Sequence, residues 1–360
     1  MKEIQNILKL YENLETKSGQ CAMATVVYVE GSSYRRPGAR MLITSNGRWV
    51  GGISGGCLEG DALKKAQNVI HTGRPRVVTY DNREEDPFQL GVSLGCKGLI
   101  SILVELVTEE HINQLSQIVR SRKPSIIAHL ISDNESANLG AKAYWRDGQI
   151  IQNEINESMI SEVESAFQQI ASNEVGEIRE INSIRISFEY ILPNKRLIAI
   201  GGSYDAYPMI STAASLGWEV HMMANQSKMR KEAFSICAKT WNEKTTKPVE
   251  LIEYIDSYTA ILLMNHDIDR DRKWLEVVLP SEAFYIGMLG PRIRAVELLN
   301  EMKIDAAQFA NLRFPIGIDI GAQCPEEIAL SVLSEIIAIQ NKRDAGFLKL
   351  RKSPIYDNPR

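Results

Sequence analysis

The sequence predicts an α/β protein in which a mixed α+β N-terminal domain is followed by a doubly wound parallel-sheet domain. Three observations carry this expectation. The chain has 360 residues, more than an ordinary single domain, so two domains are expected. Its first half mixes helical and strand patterns with glycine-rich corners. After Pro193-Asn194 the pattern changes to alternating strand and helix, which implies a parallel sheet covered on both faces. The expected division is therefore 1–192, 193–345 and a polar surface tail, 346–360.

In the first domain Ile4, Ile7, Leu8, Leu10, Tyr11 and Leu14 recur at helical intervals and predict an amphipathic helix over 2–17. CAMATVVYV (21–29) reads as a strand. The runs MLITS (41–45) and RWVGGI (48–53) flank Asn46-Gly47, a hairpin signal in which both turn residues are expected at positive φ. LEGDALKKAQNVIHTG (58–73) predicts a helix closed by Gly73, and RVVTYD (76–81) and GLISILVEL (98–106) predict strands. Residues 107–190 predict a helix, the strands SIIAHLIS and KAYWR, a helix over 156–171 and two strands ending at FEYILP, with no functional signal. No internal repeat is visible in the sequence.

In the second domain RLIAIGG (196–202) is an apolar strand running into glycines, followed by a helix, DAYPMISTAASLG (205–217), and a strand, WEVHMMA (218–224). Further strands are expected at AILLMN (260–265) and AFYIGML (283–289), and helices at 267–279, 291–302 and 325–341. Ligands of such sheets bind beyond the carboxyl ends of the strands. The loops after Ile200, Met264 and Met288 are therefore expected to line one cleft.

Composition narrows the function classes. Hydrophobic residues make up 44% and charged residues 24%, as in ordinary soluble domains, and a stable core needs no disulfide or metal. A net charge of −4 without a block of like charges argues against nucleic acid as the main partner. The amino terminus intersperses acids among helically spaced apolar residues, unlike a signal peptide, and no stretch approaches the roughly 20 apolar residues of a membrane span. A cytoplasmic protein without membrane association is expected. Its five cysteines, Cys21, Cys57, Cys96, Cys237 and Cys324, are scattered and form no CxxC pair. Free thiols follow, and zinc-ribbon and ferredoxin-type sites lack their spacing.

Candidate chemistry concentrates in glycine-rich corners. In VGGISGGCLEGD (50–61) a glycine turn opens a helix with Cys57 near its first turn. Backbone N–H groups and the helix dipole favour a thiolate there, while Glu59 and Asp61 partly oppose it. Alone, such a cysteine is more often a small packed residue. GVSLGCKG (91–98) places a second one, Cys96, among glycines beside Lys97. Two such cysteines together suit soft metal ligation or sulfur transfer. EGSSYRRPGAR (30–40) adds Arg35, Arg36 and Arg40, whose forks suit phosphate or carboxylate, although a solvated loop explains them equally well. IGGSYDAYP (200–208) follows a strand and opens a helix, as a phosphate-binding turn does. It is a poor GxGxxG, with Ser203 at the second glycine, and the second strand ends in Ala224-Asn225 without an acid for a ribose hydroxyl. Dinucleotide binding is therefore weakly supported. In IGIDIGAQCPEEIA (316–329) Gln323 or Cys324 is expected to cap a helix with Pro325 at its first position.

In combination GSSYRRPGARML, VGGISGGCLEGD, LGCKG, GGSYDAYP, MNHD, YIGMLGPR and PIGIDIGAQCPEEIA resemble, in this order from about residue 30 to 340, the XdhC/CoxI family of accessory proteins of xanthine dehydrogenase and related molybdenum hydroxylases. The resemblance implies a mixed N-terminal domain, a Rossmann-like C-terminal domain, and a chaperone more than a turnover enzyme. Such a protein binds molybdenum cofactor (molybdopterin), supports replacement of an oxo ligand by sulfide with sulfur from a cysteine desulfurase, and delivers it to the apo-hydroxylase. A homodimer is the expected assembly.

On that resemblance Cys57 and Cys96 are the candidates for touching molybdenum or its incoming sulfur, and Glu59 is a catalytic candidate with them. Gly55, Gly56, Gly95 and Lys97 belong to their corners. Arg35, Arg36, Arg40, Gly201 and Gly202 are candidates for holding the cofactor's phosphate. Asp205, His266, Asp267, Arg292 and Asp319 are candidates at the second cleft. The sequence departs from the family at Ser203, Ala224 and Lys97, and the first two make NAD(P) an unlikely cofactor. The alternative is an NAD(P)-dependent oxidoreductase, resting on fold alone. The catalytic xanthine dehydrogenase is excluded, because the cysteine runs that hold iron–sulfur clusters are missing.

Overall fold

Ile4, Ile7, Leu8 and Tyr11 put one buried face on the first helix, α1 (Lys2–Glu12), and the fold grows from such one-sided elements. A computed structural model describes residues 1–14, 21–81, 83, 98–132, 138–353 and 355. The chain divides into two units, Met1–Pro193 and Asn194–Arg360.

The first unit holds β1 (Cys21–Gly31), β2 (Arg40–Thr44), β3 (Trp49–Gly51), α2 (Glu59–Thr72), β4 (Arg76–Asp81) and β5 (Gly98–Leu106), in a five-stranded sheet ordered β3-β2-β1-β5-β4. Next come α3 (Glu109–Arg120), β6 (Ser125–Ser132), β7 (Lys142–Arg146), β8 (Gln149–Asn153), α4 (Ile160–Asn173), β9 (Ile178–Ile181) and β10 (Ile184–Ile191), with a sheet ordered β8-β7-β6-β10-β9. All pairings in these two sheets are antiparallel. The two halves thus repeat one topology, helix–βββ–helix–ββ, which the sequence does not display. Helix α2 covers one face of the first sheet through Ala62, Ala66 and Val69, and α4 covers the second through Val163, Phe167 and Ile170. Helices α1 and α3 share a third apolar cluster with residues of both sheets, including Met23, Leu42, Ile127 and Tyr144.

Two features here differ from what the sequence predicts. The β2–β3 hairpin has only Gly47 at positive φ, with Gly47 N–H donating to Thr44 O at 3.0 Å and Thr44 N–H to Arg48 O at 2.9 Å. That is a three-residue loop closed by a left-handed glycine, not the two-residue turn expected. Strand β8 has no counterpart in the sequence pattern, because QIIQN is half polar and short. Gly73 does close α2, at φ 70°.

The second unit contains β11 (Arg196–Ile200), α5 (Ala206–Ser215), β12 (Glu219–Ala224), α6 (Lys231–Ile236), β13 (Lys239–Asn242), α7 (Pro248–Ile252), β14 (Thr259–Leu263), α8 (Ile268–Val278), β15 (Tyr285–Met288), α9 (Arg292–Glu301), β16 (Leu312–Arg313) and α10 (Pro325–Gln340). Its six parallel strands are ordered β13-β12-β11-β14-β15-β16, the doubly wound order of dinucleotide-binding sheets. One apolar cluster lies under α5 and α10, the other under α8 and α9. The short edge strands β13 (KTWN) and β16 carry no apolar run, so periodicity does not reveal them. Cys324 is the residue before α10, and Glu327 accepts from the Gln323 and Cys324 N–H groups. No helix among the described residues is long and apolar enough to cross a membrane.

Candidate functional site

Strand direction decides what meets in the first unit. Strands β1, β3 and β4 end, and β2 and β5 begin, at one edge of the first sheet, because neighbours alternate in direction. The connections 32–39, 52–58 and 82–97 therefore all leave from that edge. Cys96, Gly95 and Lys97 fall in the third and lie outside the described residues. Gly98, at the start of β5, pairs with Gly31. A Cβ on Gly98 would lie 2.4 Å from Ser32 O and 2.8 Å from Glu30 O, so only glycine fits there.

The loop 52–58 is anchored at both ends and exposed at its tip. Ile53 and Leu58 are fully buried, while Gly55, Gly56 and Cys57 are exposed. Exposure is unusual for a cysteine, which packs inside most proteins. Gly56 supplies the turn at φ 114°, a conformation side chains disfavour. Glu59 braces the loop. Its carboxylate accepts from Ser54 N–H at 2.9 Å and Ile53 N–H at 3.3 Å, and from the Ser54 hydroxyl. Ser54 Oγ in turn accepts from Gly56 N–H at 3.2 Å and Leu58 N–H at 3.0 Å. Burial works against the Glu59 charge, but the bonds from Ser54 and the backbone prevail and lower its pKa. Glu59 thus holds the loop in place through its bonds to Ile53 and Ser54. Asp61 is occupied too, accepting from Tyr80 Oη at 2.5 Å. The Tyr34 ring lies against Gly55, 3.4 Å from where a Cβ would stand, so the 32–39 connection touches the cysteine loop.

The three arginines have different fates. Arg40 is 1% exposed and pairs with Glu189, and its backbone N–H donates to Glu3 Oε1 at 2.6 Å. Its expected role in holding a cofactor phosphate is corrected: the charge is used inside the unit. Burial opposes ionisation of Glu189, yet Arg40 and His129 overcome it and hold its pKa at about 2. Arg35 pairs with Glu3 while remaining partly exposed, and Arg36 is half-buried. Burial also depresses His111 and His129, beside the ion pair of Lys142 Nζ and Glu105 at 2.5 Å.

In the second unit the loops after β11, β14 and β15 meet. A Cβ on Gly201 would lie 2.5 Å from Met264 O and 3.0 Å from Asn265 N, and one on Gly202 would lie 2.7 Å from the Ala224 Cβ. His266 Nε2 stands 3.7 Å from Asp205 Oδ2, and Ser203 Oγ donates to Met264 O at 3.4 Å. Arg294 donates to Asn265 O at 2.9 Å and to Asp271 Oδ2 at 2.8 Å. Burial raises Asp271 to about 6, partly offset by Asn265 and Arg294. Asp267 caps α8, accepting from Asp269 N–H at 3.0 Å and Arg270 N–H at 3.5 Å. Arg292 and Asp319 are exposed. The residues that sequence reasoning misses are Ser54, Tyr34, Arg230, Asp271 and Glu189. The spacing Ser54–Glu59 across a glycine turn is a usable signal for the first; Glu189 has none. Among the described residues no group of three or more His, Cys, Asp or Glu side chains gathers for a metal ion.

Loops that leave one edge of an antiparallel sheet, then a doubly wound unit with a glycine turn, define a two-part α/β protein with a Rossmann-like C-terminal unit. The XdhC and CoxI family model matches residues 15–81, and the model of the XdhC Rossmann domain matches residues 197–336. The chain belongs to the XdhC and CoxI family. It is 28% identical to a Bacillus subtilis protein named as a probable xanthine dehydrogenase subunit, over 90% of this chain and 94% of the relative. It is 24% identical to the molybdenum cofactor insertion chaperone PaoD of Escherichia coli, over 88% and 83%. A crystal structure described as a xanthine dehydrogenase from Bacillus halodurans matches at 28% identity with a TM-score of 0.76, covering 96% of this chain and 97% of that one.

Proposed function

We propose that this protein binds molybdenum cofactor and delivers it to a molybdenum hydroxylase of the xanthine dehydrogenase type, with the loop 52–58 as the contact. The observation that carries this reading is the exposed Cys57 on a loop whose two ends are buried and whose turn is braced by Glu59. Such a loop presents a soft ligand without having to fold around it. Gly56 has open space where a side chain would stand, and the Tyr34 ring lies against Gly55. The chain connection that contains Cys96 starts and ends at the same sheet edge. Family membership and the similarity to PaoD support the cargo. The bound molybdenum centre would supply the oxo site at which sulfide is installed. Cys57 and Cys96 are the groups we assign to face it, with sulfur from a cysteine desulfurase. We place the protein in the cytoplasm as a homodimer.

Purification from cells that make molybdopterin, followed by oxidation to the fluorescent pterin, tests this. Wild type should retain pterin, and Cys57→Ala should lose most of it while keeping its melting temperature. A wild-type protein free of pterin, from cells with intact cofactor supply, would sink the reading.

A further inference from the structure

We propose that the parallel-sheet unit is also a site for a nucleotide with a phosphate monoester on its ribose, the 2′-phosphorylated dinucleotide class, and that Arg230 selects it. This goes beyond the cofactor role and rests on other residues. In the strand order of this sheet a dinucleotide crosses the carboxyl ends, with its pyrophosphate at the turn after the first strand and its ribose at the end of the second. An unphosphorylated ribose needs an acid there, whereas a 2′-phosphate needs an arginine.

The second strand, β12, ends at Ala224, packed against Gly202 of the turn. Asn225 Oδ1 is engaged by Ser227, accepting from its N–H at 3.3 Å and its hydroxyl at 2.9 Å. Glu243, whose N–H bonds Ala224 O, is buried and pairs with Arg270. No free carboxylate is thus offered by either residue. Arg230 stands on the same side. Its guanidinium carbon lies 5.0 Å from the Tyr204 ring centroid and 4.8 Å from that of Tyr207, and its backbone N–H donates to Tyr207 Oη at 2.8 Å. The two rings come from the turn and from α5, so they fix an arginine at the turn's edge. Arg230 is exposed and pairs with no carboxylate among the described residues. Ser203, at the second fingerprint position, directs its hydroxyl to Met264 O, so its side chain leaves the turn's open side clear.

The test is calorimetric titration of the full-length protein, purified from cells unable to make molybdopterin, with NADP+, NAD+, 2′-AMP and inorganic phosphate. NADP+ should bind roughly 10- to 100-fold more tightly than NAD+, the range one charge-assisted contact supplies, and 2′-AMP more tightly than phosphate. Arg230→Ala should abolish the preference, and Arg230→Lys should restore part of it, at unchanged melting temperature. Equal affinities, no binding at millimolar concentrations, a preference that survives Arg230→Ala, or phosphate binding as tight as 2′-AMP would each overturn the proposal. Because the cells lack pterin, failure here leaves the cofactor reading untouched.

Discussion

The two halves of the first unit share a topology and differ in what they hang on it. Between β3 and α2 the first half carries Gly52 to Leu58, with an exposed cysteine at the tip; between β8 and α4 the second carries Glu154 to Met159, with no glycine and no cysteine. Between β4 and β5 lie residues 82–97, whereas β9 and β10 are joined by Asn182 and Ser183 alone, both at positive φ. The second half shows how little chain this topology needs. The β4–β5 connection of the first half is therefore longer than the topology needs, and it starts and ends at the sheet edge from which the cysteine loop also leaves. Loops on a rigid scaffold are where binding residues concentrate.

Perturbing equivalent positions sharpens this contrast, and the largest effect is expected where the halves are locked together. Glu189→Ala leaves Arg40 buried without its partner and should cost about 3–5 kcal/mol by chemical denaturation. Acid should act on the same network. Because the folded Glu189 value of about 2 lies below that of an unfolded glutamate, its contribution is complete above about pH 4.5 and is lost as pH falls towards 2. His111 and His129 are held neutral by burial, so protonation of the unfolded chain begins to erode stability below about pH 6.5. Denaturation midpoints across pH 7 to 3 should fall continuously; a flat profile would refute the network's role.

Next in size is the brace. Glu59→Gln weakens charge-assisted bonds to Ser54 and Ile53 and should cost about 1–3 kcal/mol while reducing pterin retention. In the corresponding connection of the second half, Asn156 accepts from Ser158 N–H at 3.0 Å. Asn156→Ala should cost about 1 kcal/mol with no change in retained pterin. Should it lower pterin as much as Glu59→Gln, the division of labour between the halves would be wrong. The smallest stability effect belongs to Cys57→Ala, within about 0.5 kcal/mol, because the side chain is exposed.

Elements with a strong apolar period are legible in the sequence: β1, α2, β11, α5 and α10 all lie where their spacing puts them. The cysteine loop is legible because glycine and cysteine are unusual at a helix start. Arg40 is not legible as a core residue, since its partner Glu189 is 149 positions away and local charge patterning is blind to that. The bracing by Glu59 is legible only in part: its spacing from Ser54 across a glycine turn is a signal, but its bonds to backbone N–H groups are announced by no residue type. The internal duplication is invisible for a similar reason: strand order is set by pairing, and the paired residues of the two halves need not be alike. Arg230 escapes a search for the acid that normally follows the second strand, because its tyrosine platform comes from the preceding turn and helix.

The most direct measurement is pterin retained per protein by wild type and Cys57→Ala, both purified from cells with intact cofactor supply and matched in melting temperature. Pterin in the wild type, lost from the variant, is the predicted result. Equal pterin in both would contradict the claim that the exposed cysteine of the first half is what holds the cargo.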